Sequence, residues 1–342
     1  MEQTIVIVGL DLAKSVFQVQ AIAAYGAVVI RRNLCRAEVI RFFTELPPCL
    51  VGMEACGSAH HWARDFMAIG HEVRLMPPAY VKPYVKRGKS DAADAEAICE
   101  AVTRLKMRSV AVKSVEQQAV LMLHKSRDLM VRQRTKLINA LRGHLAEHGI
   151  VTGLGARGVV ASLKALHDGQ DRFPAHAHSA LHGIAAQLRA LASEIDRLEA
   201  QILDRHRKDE TSRRLATIPG IGPITTSAVA AAVPDASLFR LCCQFGARFG
   251  LTLRANNSGG KERLGGITMQ VDGNRSRLLV VGSTALMRMT RKNPARQPWM
   301  AGLLECKPAK IATEALANKT APIAWAVMTR KEEYAAAAQR YL

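Results

Sequence analysis

The order of apolar runs predicts an α/β domain at the N-terminus followed by a mostly helical remainder. Three observations carry the expectation. Five short β-rich runs alternate with amphipathic stretches over the first ~105 residues. From Ser114 onward the apolar spacing becomes helical. Acids stand at the ends of two of the apolar runs, where an α/β sheet gathers functional groups.

Residues 4–10 read as a strand, in which Ile5-Val6-Ile7-Val8 breaks at Gly9 just before Leu10 and Asp11. Val16-Phe17-Gln18-Val19-Gln20 alternates apolar and polar as a second strand, and Tyr25-Gly26 turns into a third over 27–30. Ala37 to Leu46 is a short amphipathic helix stopped by Pro47-Pro48. Residues 49–54 give a fourth strand ending on Glu54. Ser58 is placed to cap a helix that runs to Ile69, before Gly70. Val73 to Met76 is a fifth strand, ended by Pro77-Pro78. Three meandering strands, helix, strand, helix, strand is the order of the ribonuclease-H-like fold. It makes Asp11 and Glu54 neighbours at the sheet centre.

A second pair of acids opens a helix. In Lys89-Ser90-Asp91-Ala92-Ala93-Asp94 the two aspartates are spaced to share one helical face. Acids at strand ends and on a nearby helix can converge on a divalent cation; a few hard oxygen ligands suit Mg²⁺, or Mn²⁺. His60-His61 follow Glu54 on the amphipathic helix and are read as structural.

The surrounding chain is basic. Its 342 residues carry 48 Lys+Arg against 29 Asp+Glu, a formal charge of +19, which favours polyanionic partners. No apolar run approaches the roughly 20 residues of a membrane span, and the start is read as lacking a signal peptide. Seven cysteines include no C-x-x-C pair; Cys56, Cys242 and Cys243 are read as small buried residues. A cytoplasmic nucleic-acid protein, without membrane contact, is the expectation.

The second half divides into three stretches. Ser114-Val115-Glu116-Gln117 has capping-box form. The helix it opens carries Lys125, Arg127, Arg132, Arg134, Lys136 and Arg142, either a backbone-binding surface or a solvated face. Leu181, Ile184, Leu188, Leu191, Ile195, Leu198 and Ile202 then form a heptad seam. That seam packs either on the chain's own helices or on a second subunit. Ile218-Pro219-Gly220-Ile221-Gly222-Pro223 joins two helices as a helix-hairpin-helix, whose Gly220 and Gly222 could bring backbone N–H groups to a phosphate; a plain turn is the alternative. Last, Asn256-Asn257-Ser258-Gly259-Gly260 is a polar loop, in which Ser258 is either a turn residue or an accessible nucleophile. The expected domains are a 1–150 α/β catalytic domain with a trailing basic helix, a 151–209 helical coiled-coil arm, and a mostly α-helical 210–342 domain with the helix-hairpin-helix and the serine loop.

Taken together, GLDLAK around Asp11, MEACGSAHHWAR around Glu54, KSDAADAEAI, IPGIG and NNSGG resemble the IS110 family of insertion-sequence transposases, in the wording of its IS1111 branch. The resemblance runs over roughly residues 4–290. It implies a RuvC-like domain in which Asp11, Glu54, Asp91 and Asp94 form a DEDD metal-binding set, and a C-terminal transposase domain with Ser258 as nucleophile. It further implies DNA as substrate, a structured bridge RNA as guide, and a homo-oligomer in which serine and carboxylates can come from different subunits. The chain departs from the family pattern at Leu253, at Met269 to Gly273, and at Arg275-Ser276-Arg277, where phosphate contacts are not expected. A water-using, RuvC-like endonuclease and a non-catalytic nucleic-acid-binding copy are the competing function classes.

Overall fold

The computed structural model describes residues 4–85, 91–169, 172–256, 259–261, 263–267 and 273–335. The chain divides into two compact units, Met1–Gln118 and Ala119–Leu342.

In the first unit, β1 (Ile5–Asp11), β2 (Val16–Ala23), β3 (Val28–Cys35), β4 (Leu50–Glu54) and β5 (Glu72–Met76) make one sheet in the order β3-β2-β1-β4-β5. The β1–β2 and β2–β3 pairs are antiparallel, whereas β1–β4 and β4–β5 are parallel. This mixed sheet has the strand order expected of an RNase H-like domain. Two boundaries differ from the sequence reading. β3 continues to Cys35 because its pairing with β2 runs to Val16↔Cys35, and an edge strand tolerates the charges of Arg31 and Arg32. The helix expected from Ala37 opens as a 3₁₀ turn, Arg36–Glu38, so α1 spans only Val39–Glu45.

Both sheet faces are covered. Val8, Leu10, Val51, Met53 and Leu75 point into a core with Phe43 of α1 and with Trp62 and Phe66 of α2 (Ala59–Ala68). Phe43 and Phe66 lie 4.2 Å apart, and Phe17 meets Trp62 edge-on at 5.2 Å. On the other face, after the short α3 (Pro78–Val81), helix α4 (Asp91–Val102) buries Ala97, Ile98, Ala101 and Val102 with Ile7 and Met76. Side chains alternate along a strand, so Gly9 and Asp11 share the face of Ile7, towards α4. Ser58 sits at the start of α2, but its hydroxyl makes no capping bond.

The second unit is mostly helical. Its first helix, α5 (Val115–Glu147), opens on the expected capping box: Ser114 N–H donates to Gln117 Oε1 at 2.9 Å and Gln117 N–H to Ser114 Oγ at 3.1 Å. After α6 (Gly155–Asp168), helix α7 (Ala175–Lys208) returns antiparallel to α5. Arg127 reaches Glu199 at 2.6 Å, while Leu141 and Leu145 pack with Leu181, Ala185 and Leu188. The heptad seam is therefore occupied within the chain. Leu181, Leu188, Ile195, Leu198 and Ile202 are buried in the single chain, which favours the first of the two alternatives, packing on the chain's own helices, over a second subunit. The same packing draws most of α5 into the second compact unit, which begins at Ala119.

Helices α8 (Glu210–Leu215) and α9 (Pro223–Ala232) flank the I-P-G-I-G turn. They are followed by α10 (Cys242–Arg248), the hairpin β6 (Leu253–Ala255) with β7 (Leu264–Ile267), α11 (Gly273–Lys292), α12 (Pro298–Cys306) and α13 (Ala309–Arg330). The small residues of α9 let Val229, Ala231 and Ala232 pack closely with Phe245, Phe249, Leu279, Ala317 and Ala321. The cysteine expectation is corrected: Cys56 and Cys243 are exposed and Cys242 half-buried, whereas Cys49 and Cys99 are the buried pair. Cys56 follows the end of β4, beyond the packed part of the strand. Among the described residues no helix is long and apolar enough to cross a membrane.

Candidate functional site

Carboxylates converge on the α4 side of the sheet. β1 delivers Asp11 from its last position, and the first turn of α4 delivers Asp91 and Asp94. One oxygen from each of these three lies within 4.8 Å of the other two. Asp11 and Asp94 are half-buried and Asp91 is exposed, so the cluster is open to solvent on one side. Glu54 ends β4 beside β1 but is not among those three. It still feels them: its carboxyl is pushed above the usual range by burial, then by Asp11 and Asp94. Asp11 is raised in the same way, by burial first and then by Asp94 and Asp91, partly offset by the backbone N–H of Leu12. Like charges held this close favour a proton or a cation.

Among the described residues no Lys or Arg forms an ion pair with any of the four acids; Arg31, the nearby cation on the sheet, is spent on Gln20 at 2.9 Å and Glu96 at 3.1 Å. The donors present are hard oxygens from flexible carboxylates, which fit a divalent cation of the Mg²⁺, Mn²⁺ or Ca²⁺ type. Both histidines stand apart from this cluster. His60 is buried against Lys113, Nε2 to Nζ 2.9 Å, and His61 faces Asp65 at 3.4 Å.

The basic residues of α5 separate into two groups. Lys125, Arg132 and Lys136 recur at helical spacing on one exposed face, together with the exposed Met122 and Leu129. Arg127 is engaged with Glu199, Arg142 donates to the Thr152 carbonyl at 3.2 Å, and Arg134 is half-buried on the opposite side. Arg132 also reaches Asp128, 3.1 Å away. Asp128 is itself buried and holds Arg277 of α11 at 2.5 Å. That Arg277 occupies the segment where phosphate contacts are not expected; its guanidinium is committed to Asp128.

In the I-P-G-I-G turn, Gly220 has φ +85°, a conformation that favours glycine, and its carbonyl lies against Gly282 of α11. Gly222 is exposed at the N-terminus of α9. Ser258, with its neighbour Asn257, lies outside the described residues, as do Met269 to Asp272. The flanking β6 and β7 pair antiparallel through Leu253↔Ile267 and Ala255↔Leu264.

Two features escaped the sequence reading. Asp128 and Arg277 are too far apart in the chain for any local pattern to reveal. Gly9 and Gly52 did leave a signal, since Gly9-Leu10-Asp11 and Gly52-Met53-Glu54 repeat one spacing.

Comparison with known proteins accounts for both regions. A DEDD-type IS110 model, described as a transposase, matches residues 8–150, and a model of the transposase IS116/IS110/IS902 family matches 212–299. The chain is 47% identical to a Pseudomonas aeruginosa protein named "Probable family 20 transposase", over 96% of this chain and 98% of that one. It is 38% identical to the Coxiella burnetii transposase for insertion sequence element IS1111A, over 96% and 91% of the two chains. The Yersinia enterocolitica transposase for IS1328 is 36% identical over 95% and 97%. With relatives of this identity over nearly its whole length, and with acids gathered on an α/β sheet, the chain belongs to the IS110 family of insertion-sequence transposases, enzymes that cut and transfer DNA strands.

Proposed function

We propose that the protein is a metal-assisted serine recombinase that moves its insertion sequence under the guidance of a structured bridge RNA. The observation that supports it most is the convergence of Asp11, Asp91 and Asp94 within 4.8 Å in a chain of this family. In this reading Asp11, Asp91 and Asp94 hold Mg²⁺ or Mn²⁺, with Glu54 completing the DEDD set. Bound there, the cation supplies Lewis-acid stabilisation to the oxygens of a phosphodiester. The Ser258 hydroxyl oxygen forms a bond to phosphorus, the P–O3′ bond breaks, and the proton passes to the departing 3′-oxygen. A 3′-hydroxyl of the exchanged strand reverses the step and frees the serine, so the number of phosphodiester bonds is conserved without ATP.

The remaining roles follow charge and exposure. Lys125, Arg132 and Lys136 contact nucleic-acid backbone, and Gly222 offers backbone N–H groups at the start of α9. The reading keeps a 1–150 RuvC-like domain, a 151–209 arm and a 210–342 transposase domain as evolutionary segments, the first ending where the family match ends. Homo-oligomerisation belongs to it as well, through a surface other than the α7 seam.

The test is a labelled DNA duplex with Mg²⁺ and bridge RNA, resolved on a denaturing gel for protein-linked label. Wild type forms an adduct. Ser258→Ala binds DNA but forms none, and Asp11→Asn neither cuts nor forms adduct. Adduct persisting with Ser258→Ala places the nucleophile elsewhere; cutting without adduct in wild type indicates water as the nucleophile.

A further inference from the structure

Gly9 and Gly52 are direct partners across the parallel β1–β4 pair. Both are buried, and each stands two residues before an acid, so each shares a sheet face with Asp11 or Glu54. Helix α4 rests on them. A Cβ on Gly9 would lie 2.4 Å from the Ala95 carbonyl oxygen, 2.8 Å from the Cys99 amide nitrogen and 2.8 Å from its Sγ. A Cβ on Gly52 would meet the Val102 side chain at 3.0 Å from its Cβ. Asp91, Ala95, Cys99 and Val102 follow helical spacing, so the face of α4 that begins at Asp91 is the face laid on the two glycines. The seat is secured by Cys99, whose thiol donates to the Gln20 carbonyl at 3.0 Å and is kept protonated by burial, which pushes it up to about 12.

We propose that the paired Gly9 and Gly52 are positioning residues that set how far α4 stands from the sheet, and so set the width of the carboxylate cluster and its preference among divalent cations. This rests on the reading of Asp11, Asp91 and Asp94 as metal ligands. The obstruction at Gly9 is backbone, which no rotamer change relieves. Ordinary van der Waals contact begins at 3.4 Å, so a methyl there drives Ala95 back by about 1 Å. Mg²⁺ requires oxygen ligands at about 2.0–2.1 Å in near-octahedral array, whereas Ca²⁺ accepts about 2.3–2.6 Å with flexible geometry. Withdrawing α4 carries Asp91 and Asp94 away from Asp11 and penalises the smaller ion more. At Gly52 the obstruction is a side chain at the last residue of α4, so the same substitution there has a weaker effect and can be relieved from the other side.

The experiment is calorimetric titration of the full chain with Mg²⁺ and, separately, with Ca²⁺, alongside thermal melting. Gly9→Ala is expected to lower Mg²⁺ affinity at least tenfold and Ca²⁺ affinity less, shifting the ratio of the two towards Ca²⁺. Gly52→Ala is expected to move the ratio the same way by a smaller factor, and Gly52→Ala/Val102→Ala to return part of it. Phe43→Leu, in the core on the opposite sheet face, lowers the melting temperature and leaves the ratio unchanged, which separates positioning from general loss of stability. If Gly9→Ala does not fold, Gly52→Ala and its Val102 partner decide the matter. A wild type that binds Mg²⁺ through Asp11, with glycine variants of unchanged ratio, overturns the proposal alone. A wild type that binds neither ion, or binds both equally well after Asp11→Asn, overturns the metal-ligand reading and this proposal with it.

Discussion

Asp11→Asn should stabilise the protein without metal and destabilise it, relative to wild type, with metal. The substitution keeps size and keeps an oxygen to accept the Leu12 N–H, but removes one of three negative charges. With one carboxylate oxygen of each acid within 4.8 Å of the others, each unit-charge pair repels by about 3.5 kcal/mol or more at an effective dielectric of ~20. Asp91 is exposed and Asp94 half-buried, so solvent screens most of this, and a net gain of about 1–2 kcal/mol is the reasonable expectation. In a domain of this size that is a rise of a few degrees in melting temperature.

Metal reverses the order. On the proposed assignment of Asp11 as a ligand, a cation present at ~100 times its dissociation constant should stabilise wild type by about 2.7 kcal/mol and the Asp11→Asn variant by little. The pH dependence has a matching sign. The folded-state value for Asp11 is raised, so between it and the ordinary carboxylate value the folded state binds more protons than the unfolded. Metal-free stability contributed by this group therefore falls as pH rises through the folded value and is recovered on acidification; Asp11→Asn abolishes that slope. The assay is differential scanning calorimetry in chelator and in excess Mg²⁺, from pH 4 to 8. An Asp11→Asn protein less stable than wild type in chelator, or a wild type indifferent to Mg²⁺ and Mn²⁺, would refute the reasoning.

The second unit should respond to acid in the opposite sense. His124 is buried against the Ser227 hydroxyl at 3.1 Å, and burial, with Arg127 adding to it, lowers its value from 6.5 to about 4. Its stabilisation is complete above about 6.5 and is lost as pH falls towards 4, roughly 3 kcal/mol in all; His124→Gln should flatten that loss in the melting of 119–342. On α5, replacing Lys125, Arg132 and Lys136 with glutamine should reduce the salt dependence of DNA or RNA binding by about three powers of salt, at ~0.9 per phosphate contact. Filter binding across 50–300 mM salt measures it, and an unchanged slope makes that face merely solvated.

Much of the sheet was legible because its strands bury both faces or alternate, and because glycine and proline punctuate them. Pro47-Pro48 and Pro77-Pro78 mark where chain direction must change, and the strand order followed from the sequence of elements alone. The extension of β3 was not legible, since Arg31, Arg32 and Asn33 look like a loop until an edge position with β2 makes them admissible. Cysteine burial was misjudged for a related reason. Residue type gives only a tendency, and Cys56 lies just past the point where β4 leaves the core.

The heptad seam shows where periodicity stops being informative. Leu181 through Ile202 specifies a helix with one apolar stripe and does so correctly, but the pattern is the same whether the covering helix lies in the same chain or another. What decided it was α5, whose Leu141 and Leu145 carry no heptad of equal regularity because its face also serves Val120 and Leu121 in a different core. The site divides along the same line. Asp11, Glu54, Asp91 and Asp94 could be named as candidates because each is an acid at a locally recognisable position, a strand end or a first helical turn. What brings three of them within 4.8 Å is the closeness of α4 to β1, and that depends on what is missing from Gly9 and Gly52. An absent side chain has no polarity or periodicity to read; its significance emerges only when a backbone carbonyl is found where a Cβ would stand.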